Sequence, residues 1–102
     1  MLIAETNNID LGRIQFGKPH TFQIPVTNKG GKTISITKVA VGCTSCTKAH
    51  IAGNRMDPGQ TKNVNVTFTP GTLGPQKKSI IVYWDTTSIL KLEFTAQSYE
   101  QS

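Results

Sequence analysis

The chain has 102 residues, a net charge of +5 and 36% hydrophobic residues, which fits one domain with a thin core. No window approaches the roughly 18 apolar residues of a membrane span, and residues 1–5 lack the basic start and apolar middle of a signal peptide. The basic residues are scattered, and only Lys77 and Lys78 are adjacent, so nucleic acid is not an expected partner. We therefore expect a protein of the cytoplasm or a virion, or a piece of an exported protein.

Short runs of alternating apolar and polar residues recur along the chain, and none has the period of a helix. A short edge strand is predicted at residues 2–4. Further strands are predicted at residues 9–14, 20–27, 33–41, 48–51, 63–68, 77–84 and 90–95, and the sequence predicts about seven strands in all. Gly- and Pro-rich turns separate these runs, which is typical of an all-β domain.

The clearest of these strands follows a turn with its own sequence signature. Pro58 fixes φ at the second turn position, and Gly59 accepts the positive φ that a type II turn needs at the third. Apolar residues then occupy every second position from Val64 to Phe68. This period of two predicts a strand with one buried face and one wet face.

Breaks in the alternation predict where strands bend or end. Gly12 shifts the phase of the apolar positions, which predicts a β-bulge. The apolar positions change parity near residues 37–38, so an irregularity is predicted there too. Pro25 cannot donate to a ladder, and its N–H side is expected at an edge or a bulge. The loop 28–32 is predicted to close a hairpin, and the loop 70–75 to cross between sheets.

The last two strands complete the predicted fold. Residues 79–84 are apolar at both parities, which predicts a central strand covered, or nearly covered, on both faces. The whole pattern predicts one domain over residues 1–102, a seven-stranded antiparallel β-sandwich, with a small closed barrel as the alternative. The core is expected over residues 9–96, and a frayed tail over 97–102.

One cysteine pair could carry chemistry. Cys43 and Cys46 form a Cys-x-x-Cys pair, His50 follows it, and His20 lies elsewhere. A redox dithiol needs its first cysteine at a helix N-terminus, and no helix is predicted here. A structural zinc ion needs four ligands and copper(I) accepts two or three soft ones, so Cys43, Cys46 and His50 are candidate metal ligands. The alternatives are two reduced thiols, or a disulfide between the two cysteines. The sequence requires no cofactor.

Two adjacent aromatic residues form a second candidate site. Tyr83 and Trp84 could stack on a sugar ring or a protein partner, whereas a buried sandwich tryptophan is the alternative for Trp84. No serine lies in evident company with a histidine and a carboxylate, so a catalytic triad is not supported. An enzyme is therefore not expected.

Several motifs, read together, resemble a known family. Residues 9–12, Ile-Asp-Leu-Gly, and residues 22–30, Phe-Gln-Ile-Pro-Val-Thr-Asn-Lys-Gly, resemble the opening of Hydin-type (ASH-like) immunoglobulin-like domains. Further matches in the same order are residues 34–39, 56–59, 66–70 and 74–80. The similarity is closest to short bacterial and phage-borne relatives of unknown function. These typically carry a Cys-Gly-Cys-Thr cluster, whereas residues 42–47 read Gly-Cys-Thr-Ser-Cys-Thr.

The resemblance implies an immunoglobulin-like sandwich of the PapD and major-sperm-protein group that serves as a binding or assembly module. The predicted function is therefore non-enzymatic binding or assembly with a protein partner, as a structural component of a phage particle or a cell-surface complex. Two alternatives remain open: a zinc- or copper(I)-binding domain that uses the cysteine loop, and a carbohydrate-binding module.

Overall fold

A computed structural model of the chain describes residues 2–4, 6, 8–42, 46–85 and 88–100. These residues form strands joined by turns and loops, and they include no helix long and apolar enough to cross a membrane. The strands are β1 (Leu2–Ala4), β2 (Asn8–Gln15), β3 (His20–Asn28), β4 (Ile34–Val41), β5 (Thr47–Ile51), β6 (Arg55–Met56), β7 (Thr61–Phe68), β8 (Gly74–Trp84) and β9 (Ser88–Tyr99).

The strands form two sheets packed face to face. One sheet has four strands in the order β1-β3-β7-β5, and the other has five in the order β2-β9-β8-β4-β6. The chain changes sheet at every connection except the last, from β8 to β9. The predicted all-β sandwich and the crossover at residues 70–75 are therefore confirmed. The hairpin predicted at residues 28–32 is wrong, because β3 and β4 belong to different sheets.

Side chains from alternate positions of both sheets fill the core. Val64, Val66 and Phe68 of β7 are completely buried, as their alternation predicts. At the centre, the Phe94 ring lies 5.2 Å from the Phe22 ring and 5.1 Å from the Phe68 ring, both edge to face. Edge-to-face pairs match the positive rim of one ring to the negative face of the other, which fixes these side chains beyond simple burial.

Both predicted irregularities are present. The register of β2 against β9 shifts between Asp10 and Arg13, and Gly12 in that gap has a φ of 71°. The Gly12 N–H donates to Asp10 Oδ1 at 2.8 Å, which stabilises the bulge. The register of β4 against β8 shifts between Ile36 and Lys38. Each bulge reverses the parity of its strand, so the apolar residues on both sides of it can face the core.

The positions of Pro25 and of the turn before β7 also agree with the sequence. In the described part of β1, pairing with β3 runs as far as Ala4 opposite Val26, so Pro25 lies next to the end of that paired part. Gly59 has a φ of 80°, as a type II turn requires at that position. The Gln60 N–H closes this turn by donating to the Asp57 carbonyl at 3.0 Å.

Asn28, at the end of β3, is a buried polar residue that joins three segments. Its Nδ2 donates to the Lys32 carbonyl at 2.8 Å and to the Met56 carbonyl at 3.1 Å, while its Oδ1 accepts from the Gly30 N–H at 3.1 Å. Its backbone carbonyl accepts from the Gly59 N–H at 2.8 Å. The side chain therefore holds the loop after β3 and strand β6 against the end of β3.

Three features differ from the sequence prediction. The described residues form nine strands instead of about seven, because the short β1 and β6 count separately. Strand β2 runs parallel to β9, so the sandwich is not wholly antiparallel. Strand β9 continues to Tyr99 with Ser98 buried, so residues 97–99, assigned to a frayed tail, belong to the sheet. Parallel pairing with β2 extends to Tyr99 opposite Gln15, which holds this end in place.

Candidate functional site

The cysteine loop lies between β4 and β5. Cys46 is half-buried and disulfide-bonded, and its Sγ lies 3.7 Å from Thr47 Oγ1. The other cysteine of the sequence, Cys43, lies outside the described residues, so the pairing of the two cysteines stays a prediction. A sulfur held in a disulfide is not the thiolate that binds zinc or copper(I).

Among the described residues, the histidines do not join Cys46 in a metal cluster. His50 is exposed on β5 four positions after Cys46, which corresponds to about 13 Å of extended backbone. His20 is the first residue of β3, and its Nε2 lies 3.3 Å from the Gln15 carbonyl. In the described part of the chain, no three His, Cys, Asp or Glu residues group closely enough to hold a metal ion.

Tyr83 and Trp84 lie side by side on β8 but point to opposite faces of the sheet. Trp84 has the inward parity of Ile80 and Val82, and it packs half-buried against the core. Its Nε1 is buried and has no hydrogen-bond acceptor among the described residues. Tyr83 points outward and keeps 36% of its surface exposed. The two rings therefore do not form a shared stacking platform.

Tyr83 instead belongs to an apolar patch on the outer face of the five-stranded sheet. It lies opposite Ile89 of β9, which is 58% exposed, and the next outward residue of β8 is Ile81, opposite Ala40 of β4. We call Ala40, Ile81, Tyr83 and Ile89 the outer patch. No described element covers it, so the prediction that β8 is covered on both faces is wrong for this side. A signal was present in the sequence, because the outward positions Ile81 and Tyr83 of β8 are apolar.

Basic residues border the outer patch. Lys38 of β4 lies opposite Tyr83, and Lys91 of β9 lies opposite Ile81. Further along the sheet, the Glu93 carboxylate forms ion pairs with Lys91, at 3.2 Å from Nζ to Oε1, and with Lys77, at 3.5 Å from Nζ to Oε2. The hydrogen bond from Lys91, followed by the positive charge of Lys77, lowers the pKa of the Glu93 carboxyl from its ordinary value. The margin of the patch is therefore positively charged and held in place at one side.

The outer face of the four-stranded sheet has a different character. Uncharged polar side chains pair across β3 and β7: Thr21 with Thr67 at 3.3 Å, Gln23 with Asn65 at 2.8 Å, and Thr27 with Thr61 at 2.8 Å. These groups satisfy one another on an exposed surface. Of the two outer sheet faces, the five-stranded sheet therefore exposes the larger apolar side chains.

The two sheets and their connections define the fold as an immunoglobulin-like β-sandwich, and the solved structures described below show that this fold is of the PapD and major-sperm-protein type. Residues 2–98 match a family described as a protein of unknown function, DUF1573, and the chain belongs to that family. The Hydin-type subgroup suggested by the sequence is a finer assignment than this match. No curated protein sequence matches the chain.

Three solved structures illustrate the fold. A protein of unknown function from Porphyromonas gingivalis W83 superimposes with a TM-score of 0.78 at 13% identity, over 95% of this chain and 45% of that one. The ASH/PapD-like domain 7 of human CEP192 gives 0.71 at 11% identity, over 99% and 87%. The Caenorhabditis elegans MSP family member WR4 gives 0.68 at 9% identity, over 97% and 98%. At these identities the similarity establishes the fold and leaves function open.

Proposed function

We propose that this domain is a non-enzymatic binding or assembly module whose partner is a protein, acting as a structural component of a particle or a cell-surface complex. The outer patch carries the proposal. Exposed apolar side chains that adjoin across two strands leave a contiguous apolar surface in contact with water. Contiguous surfaces of this kind mark interaction sites. An aromatic ring at the centre of such an area is the usual form of an interface anchor.

The position of the outer patch favours a protein partner. Tyr83 presents an apolar ring edge together with a hydroxyl, and Ile89 contributes a rigid aliphatic side chain beside it. Lys38 and Lys91 lie at the margin, where charged groups affect the association rate and partner choice more than the affinity. The sheet beneath is part of the core and needs no reorganisation on binding, which favours association because little conformational entropy is lost.

Site-specific photo-crosslinking in the producing cells tests this proposal. A photoreactive amino acid replaces Ile89 in one variant and Thr21, on the polar face of the other sheet, in a control variant. We expect a discrete protein adduct from position 89 and none from position 21. Ile89→Glu is expected to weaken the association by about tenfold or more while leaving folding unchanged, because the side chain is exposed. Equal adducts from both positions, or no adduct from position 89, would contradict the proposal.

The two alternatives make different predictions. A carbohydrate-binding module that uses Tyr83 and Trp84 predicts that glycans change the fluorescence of Trp84, the only tryptophan in the sequence. A metal-binding domain that uses Cys43, Cys46 and His50 predicts stoichiometric uptake of zinc or copper(I). The inward parity of Trp84 and the disulfide-bonded state of Cys46 make both less favoured than protein binding. Elemental analysis and a glycan titration separate them from the main proposal.

A further inference from the structure

One side of the sandwich has two open strand edges. On β4, strand β6 pairs with Ile34 and Ser35, and the Ile36 N–H donates to the Asn54 carbonyl at 2.6 Å. Beyond the bulge, the Gly42 N–H donates to the Ser79 carbonyl of β8. The residues of an antiparallel ladder alternate in the side to which their N–H and C=O groups point. Val39 and Val41 therefore direct these groups away from β8 to the open side.

Strand β5 offers the longer open edge. It pairs with β7 along its whole length, and no other described strand pairs with it. The Thr69 N–H donates to the Cys46 carbonyl at 2.8 Å, so the even-numbered residues of β5 face β7. Thr47, Ala49 and Ile51 therefore direct their N–H and C=O groups outward, and no described residue bonds to them there.

A groove of about 290 Å³ lies between these two edges. Its apolar walls are formed by Ile36 and Val39 on one side and by Ala49 and Ile51 on the other. The rest of the lining consists of Thr37 and Lys38 of β4, His50 of β5, and residues 53 and 54 of the connection to β6. No carboxylate occurs among the described residues that line it. The groove therefore combines unpaired backbone, apolar walls and positive charge.

We propose that β5 binds an extended segment of a partner protein in which acidic and apolar residues alternate, and that the segment adds as a strand at this edge. The inference rests on the proposed function and names a binding mode and a partner chemistry for a second surface. Along an added strand, every second side chain would enter the groove, where an apolar residue fits. The intervening side chains would lie beside Lys48 and His50, both exposed on the outer face of β5, where carboxylates are favoured.

The same charges disfavour a second copy of this chain as the occupant. Two β5 strands paired edge to edge would bring the Lys48 ammonium groups of both copies onto one face. Like charges placed opposite each other across strands are destabilising. An acidic segment removes this repulsion, because its outward carboxylates would lie beside Lys48.

Fluorescence anisotropy with short labelled peptides tests the inference directly. The probe is Glu-Val-Glu-Val-Glu-Val, acetylated and amidated, and the control peptides are Lys-Val-Lys-Val-Lys-Val and the acidic probe with alternate backbone nitrogens methylated. We expect saturable binding of the acidic probe alone. N-methylation is expected to weaken it by about tenfold or more, because hydrogen bonds to the strand edge are lost. Equal binding of the methylated probe would contradict strand addition.

Two matched proline variants locate the edge that is used. Ala49→Pro removes an outward N–H of β5 without breaking a ladder bond, and Val39→Pro does the same on β4. We expect Ala49→Pro to weaken binding of the acidic probe by about tenfold and Val39→Pro to have a much smaller effect. The reverse result would assign binding to β4 and overturn the inference. Circular dichroism confirms that each variant is folded.

A charge reversal tests partner chemistry independently of the proline variants. Lys48→Glu is expected to weaken binding of the acidic probe and to strengthen that of the lysine probe. Absence of this exchange, or self-association of the wild-type chain that Ala49→Pro abolishes, would reject an acidic segment as the occupant. Loss of peptide binding with retention of the adduct at position 89 would reject this inference and leave the proposed function standing. If the chain binds the peptide but gives no adduct at position 89, the outer patch is rejected as a protein-binding site and the inference about β5 stands.

Discussion

Replacing Asn28 by alanine tests the account of how the loop after β3 and strand β6 are held. The substitution removes donors to two carbonyls, those of Lys32 and Met56. A buried acceptor left without a donor costs about 1–3 kcal/mol, and the Met56 carbonyl is the more deeply buried of the two. Taking about 2 kcal/mol for Met56 and about 1 kcal/mol for Lys32, we expect a loss of about 3 kcal/mol in the free energy of unfolding.

Urea unfolding followed by circular dichroism measures this loss. With an m-value of about 2 kcal/mol/M, the midpoint should fall by about 1.5 M. The matched control is Asn63→Ala, since Asn63 is exposed on β7 and its Nδ2 makes only a 3.3 Å contact with Gln23 Oε1. The control should lose about 0.5 kcal/mol or less. If the two alanine variants are equally stable, the role assigned to the Asn28 side chain is wrong.

Asn28→Asp separates the loss of the donor from the loss of volume. The new carboxylate oxygen would face the two carbonyl oxygens that Nδ2 contacts, so at neutral pH we expect a loss at least as large as with alanine. Burial and the facing carbonyls would raise the pKa of this carboxyl in the folded state. A raised native pKa gives stability that is present at low pH and lost as the pH rises, so the variant should recover relative to wild type on acidification.

Four further substitutions test the aromatic core, the buried Trp84 N–H, the ion pairs at the margin of the outer patch, and the turn before β7. Phe94→Ala should lose about 4 kcal/mol in urea unfolding, because it empties the site between two aromatic rings; a loss below about 1 kcal/mol would refute that packing. Trp84→Phe should change stability by less than about 1 kcal/mol, because removing a buried N–H without a described acceptor offsets the lost area. Glu93→Gln should be less stable than wild type above pH 4.5, and thermal melts at low salt should converge as the pH falls through the lowered native pKa. Gly59→Ala should lose about 1 kcal/mol, because φ is 80° there, and an unchanged melting temperature would contradict that backbone assignment.

Local pattern was sufficient to predict the longer strands and their bends. The alternation of apolar positions is interrupted at Gly12 in β2 and changes parity at residues 37–38 in β4. Each bulge follows because both parts of the strand must bury their apolar side chains. Gly59 after Pro58 leaves few backbone choices, and the type II turn follows from them. These features depend on a few consecutive residues, which a sequence displays directly.

Features that depend on distant segments were not predictable in this way. The sequence predicts Asn28 as a loop residue that tolerates positive φ. In the structure its side-chain Nδ2 donates a hydrogen bond to the Met56 carbonyl, which lies in the other sheet. The loop after β3 reads as a hairpin because its length and glycines suit one, yet β4 pairs with β8. Likewise, whether Tyr83 is covered depends on what packs over β8, and no local pattern reports that.

The candidate binding surfaces follow the same division. The outward parity of Tyr83 could be read from the sequence, but its neighbour Ile89 across the sheet could not. The cysteine loop has a recognisable Cys-x-x-Cys spacing in the sequence, whereas the groove beside β5 has no sequence motif. Its character arises from the register of two strands in different sheets, which only the three-dimensional arrangement supplies.

The two flanks of the sandwich are unequal, and this has a consequence for assembly. On the flank opposite the groove, β1 has only three residues and β2 is interrupted at Gly12, so neither offers a long regular template for a neighbouring chain. Continuous growth of a β-ribbon from copy to copy requires two good flanks. We expect this domain to lie at the end of such a ribbon or to bind a single partner strand. This geometry suits discrete complexes and does not suit fibres.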